Sequence, residues 1–263
     1  MNLFLKKEKL PKGITSSWQD IKRRIRIPED ITEELAEEIG IHIGDGNLYV
    51  SGKKNIFYRY NISGDLLNEL IYHQGYLKEL MKKLYNLEPT LILRDNKNSV
   101  DTTIKSKAIV EFKNKILGLP IGPKRNIKIP DSIRINKDFQ KRGISGIIDT
   151  DFNITSSLAI TGKLHSLNIV RDINKILEAN NIPHVFKLYP EYGRFYINKE
   201  GAVKIIENWE LHNQKHLSKY QLFKEFRKFI PYSTTPERLA VLSGKLDIND
   251  LTKICEKRAS SKL

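Results

Sequence analysis

Apolar positions between Glu33 and Gly46 recur with helical spacing, and the run ends on a carboxylate: Glu33-Glu34-Leu35-Ala36-Glu37-Glu38-Ile39-Gly40-Ile41-His42-Ile43-Gly44-Asp45-Gly46. Pro28, Glu29, Asp30 and Thr32 precede it, giving the helix a capping oxygen and acidic residues at its start. Gly46 follows as a helix stop. Gly40 and Gly44 lie four apart, on one face. Each glycine inside a helix costs about 1 kcal/mol against alanine. Two on one face therefore predict a very close neighbour, because backbones without Cβ atoms can approach each other. A second stretch, Ile144-Ser145-Gly146-Ile147-Ile148-Asp149-Thr150-Asp151, has the same design, with Gly146 and Thr150 four apart. If the small faces pack together, the helices run side by side and Asp45 and Asp151 emerge at one end.

The pattern between the two stretches repeats after the second. Alternation predicts strands over Asn47–Val50 and Ile56–Ile62, with Phe57, Arg59 and Asn61 on one face and Tyr58, Tyr60 and Ile62 on the other. Helical spacing covers Asp65–Tyr85, a second hairpin Thr90–Arg94 and Val100–Ile104, and a further helix Lys107–Leu117. In the second half the hairpin lies within Asn153–Thr161, the helix over His165–Ala179, and the next hairpin over Val185–Tyr189 and Arg194–Ile197. Helices follow over Lys199–Trp209 and Leu217–Phe229. Asn86-Leu87-Glu88-Pro89 corresponds to Asn180-Asn181-Ile182-Pro183, and Ile62-Ser63-Gly64 to Ile160-Thr161-Gly162. The fold class expected is α+β: a pseudo-twofold pair of αββαββα halves, each a four-stranded antiparallel sheet covered by helices. A repeat this long is an internal duplication rather than a solenoid. The boundaries expected are a basic N-terminal arm over 1–26, halves over 27–135 and 136–230, and a C-terminal helical tail over 231–263, with short helices at Pro236–Leu242 and Asp247–Arg258.

The halves are not equal. Gly64 lies 19 positions after Asp45, whereas Gly162 lies 11 after Asp151. The second hairpin loses about four residues per arm, or roughly 13 Å at the usual rise. Whatever partner the hairpins read is therefore expected to be read mainly by the first half.

Composition adds a partner. The 263 residues carry a net charge of +14, with 40% apolar and 29% charged residues. This describes a globular chain with a basic surface suited to a polyanion. A lone Cys255 excludes a disulfide framework and a cysteine-rich zinc site. No apolar run approaches the roughly 18 residues of a membrane span. The start MNLFLKKEKLPKG lacks a signal-peptide core, so a cytoplasmic protein is expected. Met1–Arg26, with eight Lys and Arg, is expected either as an arm on phosphates or as a solvated, partly frayed terminus. A two-stranded ribbon fits the DNA major groove. Lys53, Lys54, Arg59, Arg94, Lys97, Lys187 and Arg194 are the candidates for the basic sheet face, with Asn55 and Asn61 as readers of base edges.

A helix C-terminus is already negative, so two carboxylates placed there repel each other and gain nothing from the dipole. A divalent cation relieves both problems, and oxygen donors with few His and no Cys suggest Mg²⁺. His212 and His216, four apart, would share a helix face, but no third ligand is apparent and a surface position is expected. His42 is expected on the side of its helix away from the helix pair.

Glu38–Gly46 and Ile144–Phe152 resemble the motif of the LAGLIDADG homing endonucleases, in the monomeric two-motif form. The first copy, IGIHIGDGNLYV, is close to the family pattern; the second keeps GIIDTD, with Phe152 where the pattern has Gly. The resemblance spans about Ile27 to Phe229. It implies that Gly40, Gly44, Gly146 and Thr150 form the interface of two similar halves. It also implies that Asp45 and Asp151 bind the metal, Mg²⁺ or Mn²⁺, that cleaves DNA. A lysine near the site in each half is matched by Lys124 and Lys215. Relatives also place Gln or Lys after the second strand, where this chain has Gly64 in one half and Lys163 in the other. The expected function is site-specific cleavage of double-stranded DNA by a monomer. The alternative is a non-cleaving DNA or RNA binder on the same scaffold, such as a splicing cofactor or a degenerate endonuclease. An initial Met and the lack of a C-terminal His-Asn pair do not suit an intein.

Overall fold

A computed structural model describes residues 13–52 and 56–260. The expected contacts of Lys53, Lys54 and Asn55 lie outside the described residues. The first half runs α1 (Trp18–Lys22), α2 (Glu33–Gly44), β1 (Gly46–Ser51) and β2 (Phe57–Asp65). A long helix follows, as α3 (Leu66–Tyr72), a π-turn (His73–Leu77) and α4 (Lys78–Tyr85). Then come β3 (Thr90–Arg94), β4 (Ser99–Ile104) and α5 (Lys107–Glu111), which ends in a second π-turn. After α6 (Asp131–Arg134) the second half runs α7 (Lys137–Asp151), β5 (Phe152–Ile154), β6 (Ile160–Leu164), α8 (Leu167–Ala179), β7 (His184–Leu188), β8 (Gly193–Ile197), α9 (Lys199–Asn208) and α10 (Gln214–Phe226). The tail forms α11 (Thr235–Leu242) and α12 (Ile248–Ser260).

Each half carries a four-stranded antiparallel sheet, ordered β1-β2-β4-β3 in the first and β5-β6-β8-β7 in the second. The identical order in both is the duplication expressed in three dimensions. In β2 the alternation sorts the faces: Tyr60 and Ile62 are buried under the helices, while Phe57 is exposed. The hairpin arms differ as the spacing predicts. β1 and β2 pair over six residues, from Gly46↔Ile62 to Ser51↔Phe57; β5 and β6 pair over three, from Phe152↔Gly162 to Ile154↔Ile160.

Helices α2 and α7 form the spine between the halves. A Cβ on Gly40 would run into the carbonyl of Gly143, and one on Gly146 into the carbonyl of Glu37. A Cβ on Gly44 would run into the Thr150 hydroxyl. Gly143 joins this seam, three residues before Gly146, and the sequence reading passed over it. Because backbone rather than a flexible side chain fills the space, Gly146→Ala is expected to cost about 3 kcal/mol or more. Urea unfolding measures this; an unchanged midpoint would show that the helices do not meet there.

Three features are visible only in three dimensions. Helix α7 starts at Lys137, seven residues before Ile144, with the Asn136 side chain capping the backbone N–H groups of Asp138 and Phe139. Its first two turns are too polar for apolar spacing to reveal. Residues 13–26 do not form a free arm. Asp20 in α1 is buried and accepts the Ala108 N–H at 3.2 Å, and Glu111 accepts the Thr15 N–H at 2.8 Å. Phe152 needs no turn freedom: its backbone is extended (φ −103°) and its ring is buried against Phe195, over the face of Gly162. The tail packs on the body, where Leu222, Ile230, Val241, Leu251 and Cys255 make a small second core. Among the described residues no helix is long and apolar enough to cross a membrane.

Candidate metal and nucleic-acid site

The paired motif helices deliver Asp45 and Asp151 to one end of the seam. Asp45 is the C-cap of α2 and Asp151 the last residue of α7. The Asp151 carboxyl carbon lies 3.6 Å from the place a Cβ on Gly44 would occupy. Burial raises the Asp45 pKa to about 7, and the charge of Asp151, then Glu69, pushes the same way. Asp151 is exposed at the mouth of the site. The surrounding protein still raises its pKa by desolvation, opposed by Lys124 and Lys215.

Each helix end carries an ammonium. Lys124 Nζ donates to the carbonyls of His42 and Ile43, both at 2.9 Å, and to that of Gly44. These are last-turn carbonyls of α2, of which the His42 carbonyl also accepts the Asp45 N–H, so a cation there is favoured by geometry and by the dipole. Burial lowers the Lys124 pKa, against the pull of Asp151 and Asp45. Lys215 Nζ donates to the Thr150 carbonyl of α7 at 3.3 Å and pairs with Glu69 Oε1 at 2.7 Å. The two lysines thus occupy equivalent places in the two halves, although they come from a loop in one and from the first turn of α10 in the other.

Two residues that sequence reasoning missed complete the arrangement. Glu69, buried in α3, accepts from Lys215 and from Asn213 Nδ2. Asn213 also donates to the Asp149 carbonyl at 2.7 Å and caps α10. Nothing in the spacing of Glu69 marks it, but an Asn just before a helix is a readable cap. With Asp45 ionised, as a metal requires, Asp45, Asp151 and Glu69 bring three negative charges against the two lysines, so the donor set is one positive charge short. Oxygen donors with a net negative charge fit Mg²⁺ or Mn²⁺. Gly64 leaves no room for the side chain expected after the second strand, because a Cβ would run into the His73 ring.

The outer sheet faces carry the candidate DNA contacts. Arg59 lies over the Tyr49 ring, 5.0 Å from its centroid, and also near Phe57. Asn61 is half-buried, with its Oδ1 unpartnered among the described residues. Lys97 is exposed at the β3–β4 turn. Arg94 is less available than expected, since it pairs with the buried carboxylate of Asp101 at 2.5 Å. In the second half Asp151, Lys163, Lys187 and Arg194 line one groove of about 510 Å³. Lys163 stacks 4.2 Å above the Tyr192 ring and Lys187 5.3 Å above Tyr189. These aromatic contacts hold the cations on the surface at small entropy cost.

His212 and His216 fall elsewhere than expected, whereas His42 faces the sheet of its own half. His42 is fully buried, stacked on Tyr60 at 5.1 Å, where burial keeps its pKa low. His216 is also fully buried, and His212 precedes α10 rather than sharing its face.

No protein-family model matches the chain. An A-type ATP synthase protein of Pyrococcus abyssi is 34% identical over 116 residues, 44% of this chain. The chain spans about a tenth of that protein's length. Solved structures give the fold. The homing endonuclease I-DmoI, in complex with DNA and Ca, superposes with a TM-score of 0.54 at 16% identity, covering 70% of this chain and 95% of that one. I-SmaMI, bound to an uncleaved DNA target in the presence of calcium ions, gives 0.51 at 11% identity, covering 85% and 98%. The chain therefore has the homing-endonuclease fold.

Proposed function

We propose that the chain is a site-specific double-strand DNA endonuclease of the LAGLIDADG type, acting with a divalent metal held between Asp45 and Asp151. The observation that carries this reading is the convergence of two acid-ended helices, each with an ammonium on its last carbonyls, on a fold shared with DNA-bound homing endonucleases. Mg²⁺ or Mn²⁺ is the metal that the oxygen donors suit. When bound, it lowers the pKa of a coordinated water and neutralises phosphate charge.

The residues divide the work. Asp45 and Asp151 hold the metal. Lys124 and Lys215 keep positive charge beside them, where negative charge develops on the phosphate and the leaving oxygen. Glu69 and Asn213 fix Lys215 in place. The sheets set the register: phosphate contacts orient the duplex and base edges specify it. Tyr49 and Arg59, paired well out along the longer β1–β2 arm, reach further along the groove than the paired residues of β5–β6, while Asn61 reads from near the base of the arm.

Selection of bound duplexes from a random library in Ca²⁺ tests the reading, followed by single-base substitution across the selected site. Recovery of one long, defined sequence is expected. Substitutions in the half-site under the first half should cost about 1–3 kcal/mol each, and those in the other half-site less. Equal penalties on both sides would remove the asymmetry, and recovery of no preferred sequence would remove site specificity.

A further inference from the structure

We propose that Glu37, Asp149 and His212 hold a second divalent cation, of the borderline kind that accepts nitrogen together with oxygen, at the junction of the two halves. This site is separate from the Asp45–Asp151 pair and does not depend on the activity proposed above. One oxygen of each carboxylate and a ring nitrogen of His212 lie within 4.8 Å of one another.

The rest of each donor is already fixed. Glu37 Oε2 accepts from the Tyr76 hydroxyl at 2.6 Å and from Arg142. Asp149 Oδ2 accepts the His212 backbone N–H at 2.7 Å. The His212 ring lies flat on Tyr76, with centroids 3.8 Å apart. Such outer contacts are what orient metal ligands and set their basicity. Among the described residues Glu37 Oε1 and His212 Nδ1 meet only each other, in a hydrogen bond that a cation would replace, and Asp149 Oδ1 is left without a partner. The first two are 2.9 Å apart. Asp149 Oδ1 is fully buried and has no hydrogen-bond partner among the described residues. A buried carboxylate oxygen without a donor carries its full desolvation cost, and a cation removes it.

Charge points the same way. Glu37 and Asp149 are both fully buried; Arg142 pairs with Glu37 and with Glu210, and no Lys or Arg pairs with Asp149 among the described residues. His212 is 28% exposed and gives an ion its way in. A nitrogen among three donors favours Zn²⁺ over Mg²⁺, which prefers oxygen throughout. Glu37 belongs to the first half and the other two ligands to the second. The ion therefore clamps the halves together, and it stabilises the fold by mass action.

The test uses full-length protein carrying Asp45→Asn and Asp151→Asn, so that the motif carboxylates no longer compete for metal. Stripped of metal, it is titrated with Zn²⁺ against a chromophoric chelator. One bound equivalent is expected, with a melting temperature raised by about 5 °C at a hundredfold excess over Kd. His212→Gln, at the rim where folding is not at risk, should weaken binding more than about 100-fold, beyond the usual effect of losing an outer contact. Asp149→Asn should do the same. No saturable binding, or binding unchanged by His212→Gln, would overturn the site and leave Asp149 Oδ1 to a proton.

Discussion

Asp45→Asn and Asp151→Asn are each expected to slow strand cleavage of bound target at least about 10³-fold, while affinity for the duplex in Ca²⁺ changes little. The carboxylates emerge side by side at the end of the α2–α7 seam, and each half supplies one of them from the same place in its motif helix. Asparagine keeps the shape and removes the charge, so the loss falls on metal and chemistry rather than on folding. Single-turnover cleavage on a duplex labelled in each strand is the readout. A variant that cuts at the original rate would remove that residue from the site.

The same group sets a pH dependence. Asp45 keeps its proton up to about 7 in the folded protein, against 3.8 for a free aspartate. Between those values the metal-free fold binds more protons than the unfolded chain. The contribution of Asp45 to stability is therefore present at low pH and is lost as pH rises through about 7. Metal needs the ionised form and gains over the same window. Its apparent affinity should weaken about tenfold per pH unit below 7 and level off above it.

Duplex affinity is expected to fall about 10³–10⁵-fold between 50 and 200 mM salt, the consequence of neutralising roughly 6–10 phosphates. The net charge of +14 supplies the cations. Exposed Lys97, Lys163, Lys187 and Arg194 place several of them on the sheet side. Removing one phosphate-contacting lysine, such as Lys187→Ala, should reduce the slope of log affinity against log salt by about 1 and weaken all sequences alike. Arg94→Ala should change it less, because Asp101 already neutralises that guanidinium. Filter binding across a salt series measures both, and a flat dependence would exclude a phosphate-dominated interface.

Much of this architecture was legible in the chain, for a physical reason. The seam of α2 and α7 demands small residues at fixed intervals, and Gly40, Gly44, Gly146 and Thr150 are a costly pattern that no isolated helix would keep. The carboxylates at the two helix ends follow from the same count. Strand alternation located the sheets, because one face must be buried. What stayed hidden depends on tertiary neighbours. The polar start of α7 lies outside the small-residue stretch and forms through its Asn136 cap. Glu69 acquires its place only when the first half meets Lys215 and Asn213 of the second, about 145 residues away in the chain. His212 looked like half of a histidine pair because it stands four positions before His216, but α10 begins only at Gln214; its real neighbours, Glu37 and Asp149, come from the spine. Phe152 departs from a motif glycine without disturbing Asp151, because Gly162 opposite makes room for its ring.

The most direct test is a metal switch on a pre-formed complex. A duplex selected in Ca²⁺ is bound to the wild-type chain and to the Asp45→Asn, Asp151→Asn double variant, and Mg²⁺ is then added in excess. The wild type should break both strands at one fixed position within the selected site, with the variant bound but inactive. Release of intact duplex by the wild type, in Mg²⁺ and in Mn²⁺ alike, would contradict cleavage and leave a DNA-binding protein on this fold.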